Sequence, residues 1–453
     1  MNHTVFVCQN CSAIYSKWQG QCSQCGSWDS LLESVTENKS KLSKNQKKVN
    51  LEKFIITAKN LTNLNASFSR FSTTIQEFDR CLGGEDHIFG LTQGSVVLLS
   101  GEPGIGKSTL LTMAMLKFLK NYEFFKIFYI CGEESPEQIN LRIKRLININ
   151  QLSSYQDRLQ FITTIDVDDI ISLLEKEKPS LVIVDSIQAI QTSDLSSSIG
   201  SLSQVKECAQ RLNAVAKSNH IPMFLIGHLT KDGSIAGPKS LEHLVDTVLE
   251  LTGERFLDLR ILRSIKNRFG STDEVGIFKM TSDGLEEVSN AGLFFLNNQN
   301  ERIGNAVGCI MEGLRPLLVQ TEALVVASQL AMPRRVGRGI EISRIQVLSA
   351  VLQKYAKLPF GMSDIFVSVV GGLNIKEPSI DLALLVSLVS SFLDKKIPSE
   401  SVFIGEVGLL GEIKIVSSLE RRVKEVERMG FKNIYSVKNF KNIIDLLKHL
   451  IFL

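Results

Sequence analysis

The chain has little of what would announce a specialised class. It holds two tryptophans and ten prolines in 453 residues, and its basic and acidic side chains nearly cancel, 51 − 48 = 3. That balance excludes a chain that is basic throughout, so any polyanion-binding footprint must be local. No apolar run reaches the ~20 residues of a membrane span. The longest, Ile380 to Leu393, is interrupted by Asp381 and three serines. Met1 to Val7 has no charged segment leading into an apolar run, so no signal peptide is expected and the reading is cytoplasmic. No internal repeat is visible. Collagen, a mostly disordered chain and a disulfide miniprotein are excluded by composition. Of eight cysteines, Cys8, Cys11, Cys22 and Cys25 fall within 18 positions, and Cys81, Cys131, Cys208 and Cys309 are scattered. That usage fits a reducing compartment with one metal site rather than a disulfide framework.

The length suits about three domains at roughly 150 residues each. The clustered cysteines end by residue 33. Residues 34–60 read as a linker whose first part carries Lys39, Lys41, Lys44, Lys47 and Lys48 against one acid, Glu37. Such a segment cannot build a core and reads as a solvated tether, with phosphate contact a secondary use. From 61 to 290, short apolar runs alternate with helical patterns. Ser95–Ser100, Lys126–Cys131, Leu181–Asp185 and Met223–Gly227 suit strands buried on both faces of a parallel sheet. Leu202, Val205, Ala209, Leu212 and Ala216 form a one-sided helical stripe. The fold class is therefore α/β with a doubly wound sheet. Residues 291–453 read as a separate α/β domain. Strands are expected at Val325–Leu330, Ile365–Val370 and Val402–Ile404, and helices at Ile345–Leu352, Asp381–Phe392 and Leu419–Met429.

Gly101-Glu102-Pro103-Gly104-Ile105-Gly106-Lys107-Ser108-Thr109 fits G-x-x-x-x-G-K-[ST] between a strand and an apolar helix, the context this phosphate loop requires. Its glycines let backbone N–H groups turn toward phosphate oxygens, and the helix N-terminus adds a favourable dipole. Lys107 can reach the β and γ phosphates of ATP, and Ser108 can ligate Mg²⁺. Asp185 closes a buried strand, as the Walker B carboxylate opposite Ser108 would. Glu133 and Glu134 also stand at a strand end. One of them can activate the attacking water, and Glu133 is preferred; the rival reading makes both helix N-terminal acids ahead of Pro136.

Cys8-x-x-Cys11 and Cys22-x-x-Cys25 are two knuckles separated by 22 − 11 − 1 = 10 residues. Four thiolates so spaced can converge on Zn²⁺. A four-cysteine site has no open coordination position, so the zinc should fold a compact ribbon. Trp18 and Trp28, the only tryptophans, lie here; packing this small module is the preferred reading and docking a partner or a base the alternative.

These blocks together resemble the bacterial RadA (Sms) family of recombination proteins, related to RecA and to DnaB-type helicases. The resemblance covers nearly the whole chain: the ribbon, the phosphate loop, Gly132-Glu-Glu-Ser135, Val184-Asp-Ser-Ile-Gln188, Gly227-His-Leu-Thr-Lys-Asp-Gly233 and, most specifically, Lys266-Asn-Arg-Phe-Gly270. It implies a RecA-like, DNA-dependent ATPase that forms a ring, expected to be a hexamer, on single-stranded DNA and drives branch migration. Branched DNA is then a substrate, and recombinase or replicative helicase proteins are the partner classes in view. It places Glu133 as the water-activating residue and His228 as a sensor joining the γ-phosphate to the Thr230–Gly237 loop, where Lys231 would contact phosphate. Lys266 and Arg268, two apart at the end of a strand-like run, share one side if the strand continues. They can then reach a neighbouring subunit's γ-phosphate.

The last domain resembles the Lon protease fold. Ser379 occupies the position of the Lon serine, whereas the lysine position, within Ser417–Arg422, is read as Glu420. Without that lysine the domain is expected to be a proteolytically inactive scaffold, and an ATP-dependent Lon-type serine protease is the alternative function. Arg334, Arg335, Arg338 and Arg344 form its densest basic cluster, lining a DNA channel or simply solvated.

Overall fold

The computed structural model describes residues 3–36, 69–85, 88–147, 152–228, 241–254, 258–288, 296, 303–370 and 373–452. The chain forms two compact units. The first comprises Met1–Thr252, Ile261–Thr272 and Met280–Glu286; the second comprises Gly253–Arg260, Asp273–Lys279 and Glu287–Leu453. Among the described residues no helix is long and apolar enough to cross a membrane.

The chain begins with a three-stranded ribbon in which β1 (His3–Cys8) pairs antiparallel with β2 (Ile14–Tyr15) and β3 (Leu31–Thr36). Among the described residues its core is Cys8, Cys22 and Leu31, with Phe6, Cys11, Ala13 and Tyr15 packed around them. So few apolar groups cannot offset the ordering entropy, and the cysteine cluster must supply the rest.

The rest of the first unit opens with α1 (Gln76–Leu82) and two small ladders, β4 (Arg70–Phe71) with β7 (Leu91–Thr92) and β5 (Gly84–Glu85) with β6 (Ile88–Phe89). There follow β8 (Val96–Gly101), α2 (Lys107–Asn121), β9 (Ile127–Cys131), α3 (Pro136–Leu146), β10 (Leu159–Ile162) and α4 (Val167–Glu177). Then come β11 (Leu181–Asp185), α5 (Leu202–Ser218), β12 (Met223–Ile226), β13 (Thr247–Glu254) and β14 (Leu259–Asn267). The main sheet is ordered β10-β9-β11-β12-β8-β13-β14, and its first six strands are parallel. β15 (Val275–Thr281) and β16 (Gly284–Glu287) come next along the chain.

Local chemistry explains the helix starts. Ser135 and Gln138 make a reciprocal capping box with Pro136 in the first turn of α3, and Asp166 and Ser201 cap α4 and α5. One sheet face, with Val96, Leu98, Phe128, Val182 and Val184, packs against Val205, Leu212 and Val215 of α5. Burial of each such side chain contributes roughly 1.5–3 kcal/mol.

The second unit holds a six-stranded mixed sheet ordered β19 (Arg335–Arg338), β20 (Ser363–Val369), β18 (Arg315–Ala327), β17 (Asn305–Glu312), β21 (Ser401–Ile404) and β24 (Asn433–Ser436). A hairpin of β22 (Glu406–Val407) and β23 (Ile413–Lys414) stands beside it. The helices are α6 (Ile342–Val351), α7 (Asp381–Leu393), α8 (Leu419–Arg428) and α9 (Ile443–His449). α7, the longest apolar run of the sequence, is a core helix buried on every side from Asp381 to Ser390. β17 was not expected from the sequence. Gly308 interrupts its apolar pattern, and a Cβ there would meet Ile380 Cδ1 at 2.4 Å, so the glycine lets α7 approach the sheet.

Candidate functional site

Parallel register brings the ends of four neighbouring strands together. The phosphate loop follows β8, Glu133 follows β9, Asp185 ends β11 and His228 follows β12, all at the carboxyl edge, where open α/β sheets bind ligands. Gly104 and Gly106 have φ of 75° and 115°, which L side chains rarely adopt, so the loop turns here only with glycine. At Gly101 a Cβ would lie 2.4 Å from the Leu251 carbonyl. Glu102, Pro103 and Gly104 are exposed at the loop's crest. Ile105 anchors it from below, and Ser108 and Thr109 are half-buried in the first turn of α2.

Lys107 is buried. Its Nζ donates to the Gly101 carbonyl at 2.9 Å and the Glu102 carbonyl at 3.0 Å, and it lies 3.1 Å from His228 Nδ1. With the ammonium as donor, Nδ1 accepts and Nε2 carries the proton, which it donates to Glu133 Oε2 at 2.9 Å. Burial lowers the Lys107 pKa to about 8 despite the pull of Asp185 and Glu133. Burial alone would raise the Glu133 carboxyl, but hydrogen bonds from His228 and Ser186 bring it below the usual range. The backbone N–H of Glu133 is fixed to the Asp185 carbonyl at 3.0 Å.

Asp185 is almost fully buried, and burial raises its pKa. Hydrogen bonds from Tyr129, whose hydroxyl is 2.6 Å from Oδ2, and from Ser108 work against that rise. The Ser108 hydroxyl and the Asp185 carboxylate thus meet, a hard-oxygen pair suited to Mg²⁺. Glu134 turns the other way and pairs with Arg142 of α3. The two neighbouring acids therefore separate, one into the lysine–histidine cluster and one onto a helix. Tyr129, Ser186 and Arg142 escaped the sequence reading; only Tyr129, a hydroxyl within a fully apolar strand, left a signal.

Lys266 and Arg268 lie at the opposite edge of the sheet. Lys266 Nζ donates to the carbonyls of Glu242 at 2.6 Å and Val245 at 2.9 Å. Arg268 lies 3.6 Å from Asp246, whose other carboxylate oxygen accepts from the N–H of Val96, the first residue of β8. The strand stops at Asn267, so the continued extension that would align the two cations is not present. Arg268 is exposed and Lys266 is held to backbone. Lys231 and the Thr230–Gly237 loop lie outside the described residues, as do the linker lysines.

In the ribbon, the four cysteine sulfurs lie within 4.8 Å of one another, with Cys8–Cys25 at 3.6 Å and Cys11–Cys22 at 3.5 Å. Tetrahedral thiolates at the Zn–S length of about 2.3 Å stand about 3.8 Å apart, so the set fits Zn²⁺. The preferred reading of the tryptophans fails. Trp18 and Trp28 are 59% and 73% exposed, because a core of three small buried groups has no room for indoles.

In the second unit Ser379 is buried, and its hydroxyl donates to the Cys309 carbonyl at 3.2 Å. The residue facing it is Arg422, not Glu420. Arg422 is fully buried and donates to Ser379 Oγ at 3.2 Å, to the Cys309 carbonyl at 2.6 Å and to Glu377. Glu420 is on the exposed side of α8, 3.8 Å from Lys438. The reason is helical phase: Leu419, Arg422 and Val426 share the inward stripe. The arginine cluster also divides. Arg335 and Arg344 are tied to backbone carbonyls, and Arg334 and Arg338 are exposed.

Comparisons agree with this architecture. A family described as an AAA domain matches residues 84–234, and one described as a rubredoxin metal binding domain matches residues 6–33. The chain is 42% identical over 431 residues to the DNA repair protein RadA of Bacillus subtilis, covering 95% of this chain and 91% of that one. It is 41% identical over 446 residues to the DNA repair protein RadA of Aquifex aeolicus, covering 98% and 95%. Against the DNA repair protein RadA of Escherichia coli it is 41% identical over 431 residues, covering 94% and 91%. With the phosphate loop and cysteine ribbon in place, identity at this level over almost the entire length establishes that the chain belongs to the RadA family.

Proposed function

We propose that this protein is a DNA-dependent ATPase of DNA repair: a ring-forming motor, hexameric by expectation, that acts on single-stranded and branched DNA in branch migration. Its parts would be a zinc ribbon (1–33), a basic linker (34–60), a RecA-like ATPase (61–290) and an inactive Lon-like domain (291–453). The relatives' description as DNA repair proteins supports the setting.

One observation carries the motor reading. Lys107, Ser108, Glu133, Asp185 and His228 converge at one edge of the sheet, and Lys266 and Arg268 sit at the other end of β8. Six residues at about 3.3 Å each put roughly 20 Å between the two ends. A subunit's own Arg268 cannot reach its own phosphates, so it would serve a neighbour's, with Lys266 tied to the Glu242 and Val245 carbonyls beside it. Lys107 binds the phosphates, exchanging the Gly101 and Glu102 carbonyls for them. Ser108 and Asp185 would hold Mg²⁺, which would neutralise phosphate charge. Glu133 accepts the proton of the attacking water, and His228, bonded to both Glu133 and Lys107, transmits their rearrangement toward the loop that follows it. Arg268 stabilises charge on the transferring phosphoryl group across the interface.

Ser379 gives the protease alternative no support. Its hydroxyl is a donor to a carbonyl and an acceptor from arginine, which cannot serve as a base.

The test is complementation by mixing. Lys107→Ala and Arg268→Ala should each lack hydrolysis stimulated by single-stranded DNA, and equimolar mixing should restore part of it. Full activity of Arg268→Ala alone would overturn the shared site.

A further inference from the structure

The second unit carries a cleft that neither the ATPase nor the serine centre uses. It lies at the free edge of the mixed sheet, between β24, α8, the turn after β24 and the end of α9, with a volume of about 570 Å³. That is within the range of small-ligand sites.

Three kinds of recognition chemistry converge there. The first is aromatic: Phe440 and His449 have ring centroids 5.1 Å apart and rest on Tyr435, which is stacked on Phe403 at 4.9 Å. His449 is exposed and Phe440 half-buried, and both line the cleft, so two rings are held at its wall on a fixed base. The second is cationic. Lys432 and Lys438 line the cleft and pair with the carboxylates of Glu400 at 2.9 Å and Glu420 at 3.8 Å, which are 40% and 83% exposed. Exposed pairs of this kind are weak enough for a phosphate to displace. The third is backbone. Among the described residues β24 pairs with β21 alone, and the Asn433 N–H bonds inward to the Glu400 carbonyl. In a parallel ladder alternate residues face alternate sides, so the N–H and C=O of Ile434, a residue that lines the cleft, project from the sheet edge. Ser436, the other outward residue, has its carbonyl closed by the N–H groups of Asn439 and Phe440, which stiffens the rim. Glu427, the acid among the lining residues, can accept from an exocyclic amine.

A stacking surface, an adjacent donor and acceptor on one residue, and flanking ammonium groups match the three parts of a nucleotide: ring faces, base edge and phosphate. We propose that this cleft binds a nucleotide unit of a single-stranded nucleic acid, the base against His449 and Phe440 and the phosphate on Lys432 or Lys438. The site is separate from the phosphate loop and does not depend on how that loop works.

Full-length parent protein, Lys432→Glu/Lys438→Glu and His449→Ala are titrated with a fluorescein-labelled oligothymidylate at several salt concentrations. A second copy of the strand carries 4-thiothymidine for photo-crosslinking. The lysines and His449 are exposed, so these variants keep the core. The double reversal should weaken binding about tenfold and flatten the log K against log salt slope by about 0.7, the one phosphate contact of the bound unit. Crosslinks should map to Phe440 or His449 and be lost in the variants. A second arm measures ATP binding in Lys107→Ala. Binding that persists there and disappears on adding Lys432→Glu/Lys438→Glu assigns the cleft to a free nucleotide. That result in a protein with no affinity for the strand would break the DNA reading and keep the nucleotide site. Unchanged slope, crosslinks and ATP binding in all variants would overturn the proposal.

Discussion

The two units each bury a cation beside a hydroxyl and a carboxylate, and the two centres behave in opposite ways. In the first, Lys107 has a pKa lowered to about 8, is held by two loop carbonyls and one imidazole, and neighbours the Ser108–Asp185 pair. A lysine has three equivalent donors on a flexible stem and can trade partners. In the second, Arg422 spends its planar fork on Cys309, Ser379, Glu377 and the Ser417 carbonyl. The Met311 N–H adds a further bond to Glu377 at 2.8 Å. The same three ingredients make a poised site with lysine and a locked one with arginine.

The largest effect should come from separating the paired acids of the poised centre. Glu133→Gln should lower hydrolysis about 10²- to 10⁴-fold, the range for loss of a general base. Glu134→Gln, which loosens only the Arg142 pair, should cost less than about tenfold. Steady-state ATPase rates with single-stranded DNA decide; equal losses would erase the distinction the geometry draws. In the locked centre the effect should be on folding. Arg422→Ala leaves the half-buried Glu377 and the buried Ser379 without their partner and should destabilise the second unit by about 3–5 kcal/mol. Denaturation followed by hydrogen exchange in α7 measures it. A variant of native stability would mean that the arginine is not what holds this centre closed.

Legibility followed chain locality. The phosphate loop and the cysteine knuckles are contiguous, so their spacing alone carried the geometry. Asp185 and Glu133 were legible because strand ends are marked by the apolar runs before them. Arg422 was misread through position rather than phase. It stands three residues after Leu419 and four before Val426, on the inward stripe that the spacing of those two apolar residues already marks. The tryptophans were illegible in principle, because composition does not report how little core so small a module can offer. The capture of Lys266 by the carbonyls of Glu242 and Val245 depends on a turn that no spacing rule predicts.

The comparison extends to pH, where a buried group of each sign gives the opposite slope. Asp381 lies beside the locked centre. Arg344 Nε is 3.3 Å from its Oδ1 without the alignment of a hydrogen bond, and burial outweighs that attraction, raising its pKa to about 6. An unfolded aspartate titrates near 3.9. Between these values the folded chain keeps a proton that the unfolded chain has released. The associated stability is therefore present at pH 4 and lost by about pH 6, and it amounts to about 2–3 kcal/mol. Lys107 runs the other way. Its folded pKa of about 8 lies below the unfolded value near 10.4, so the unfolded chain holds more protons in that interval and stability rises with pH across it. Asp381→Asn should flatten the acid-side slope in α7 and leave the alkaline slope in α2, and Lys107→Met should do the reverse. If Asp381→Asn kept its acid-side slope, Asp381 would not be the group that burial holds protonated.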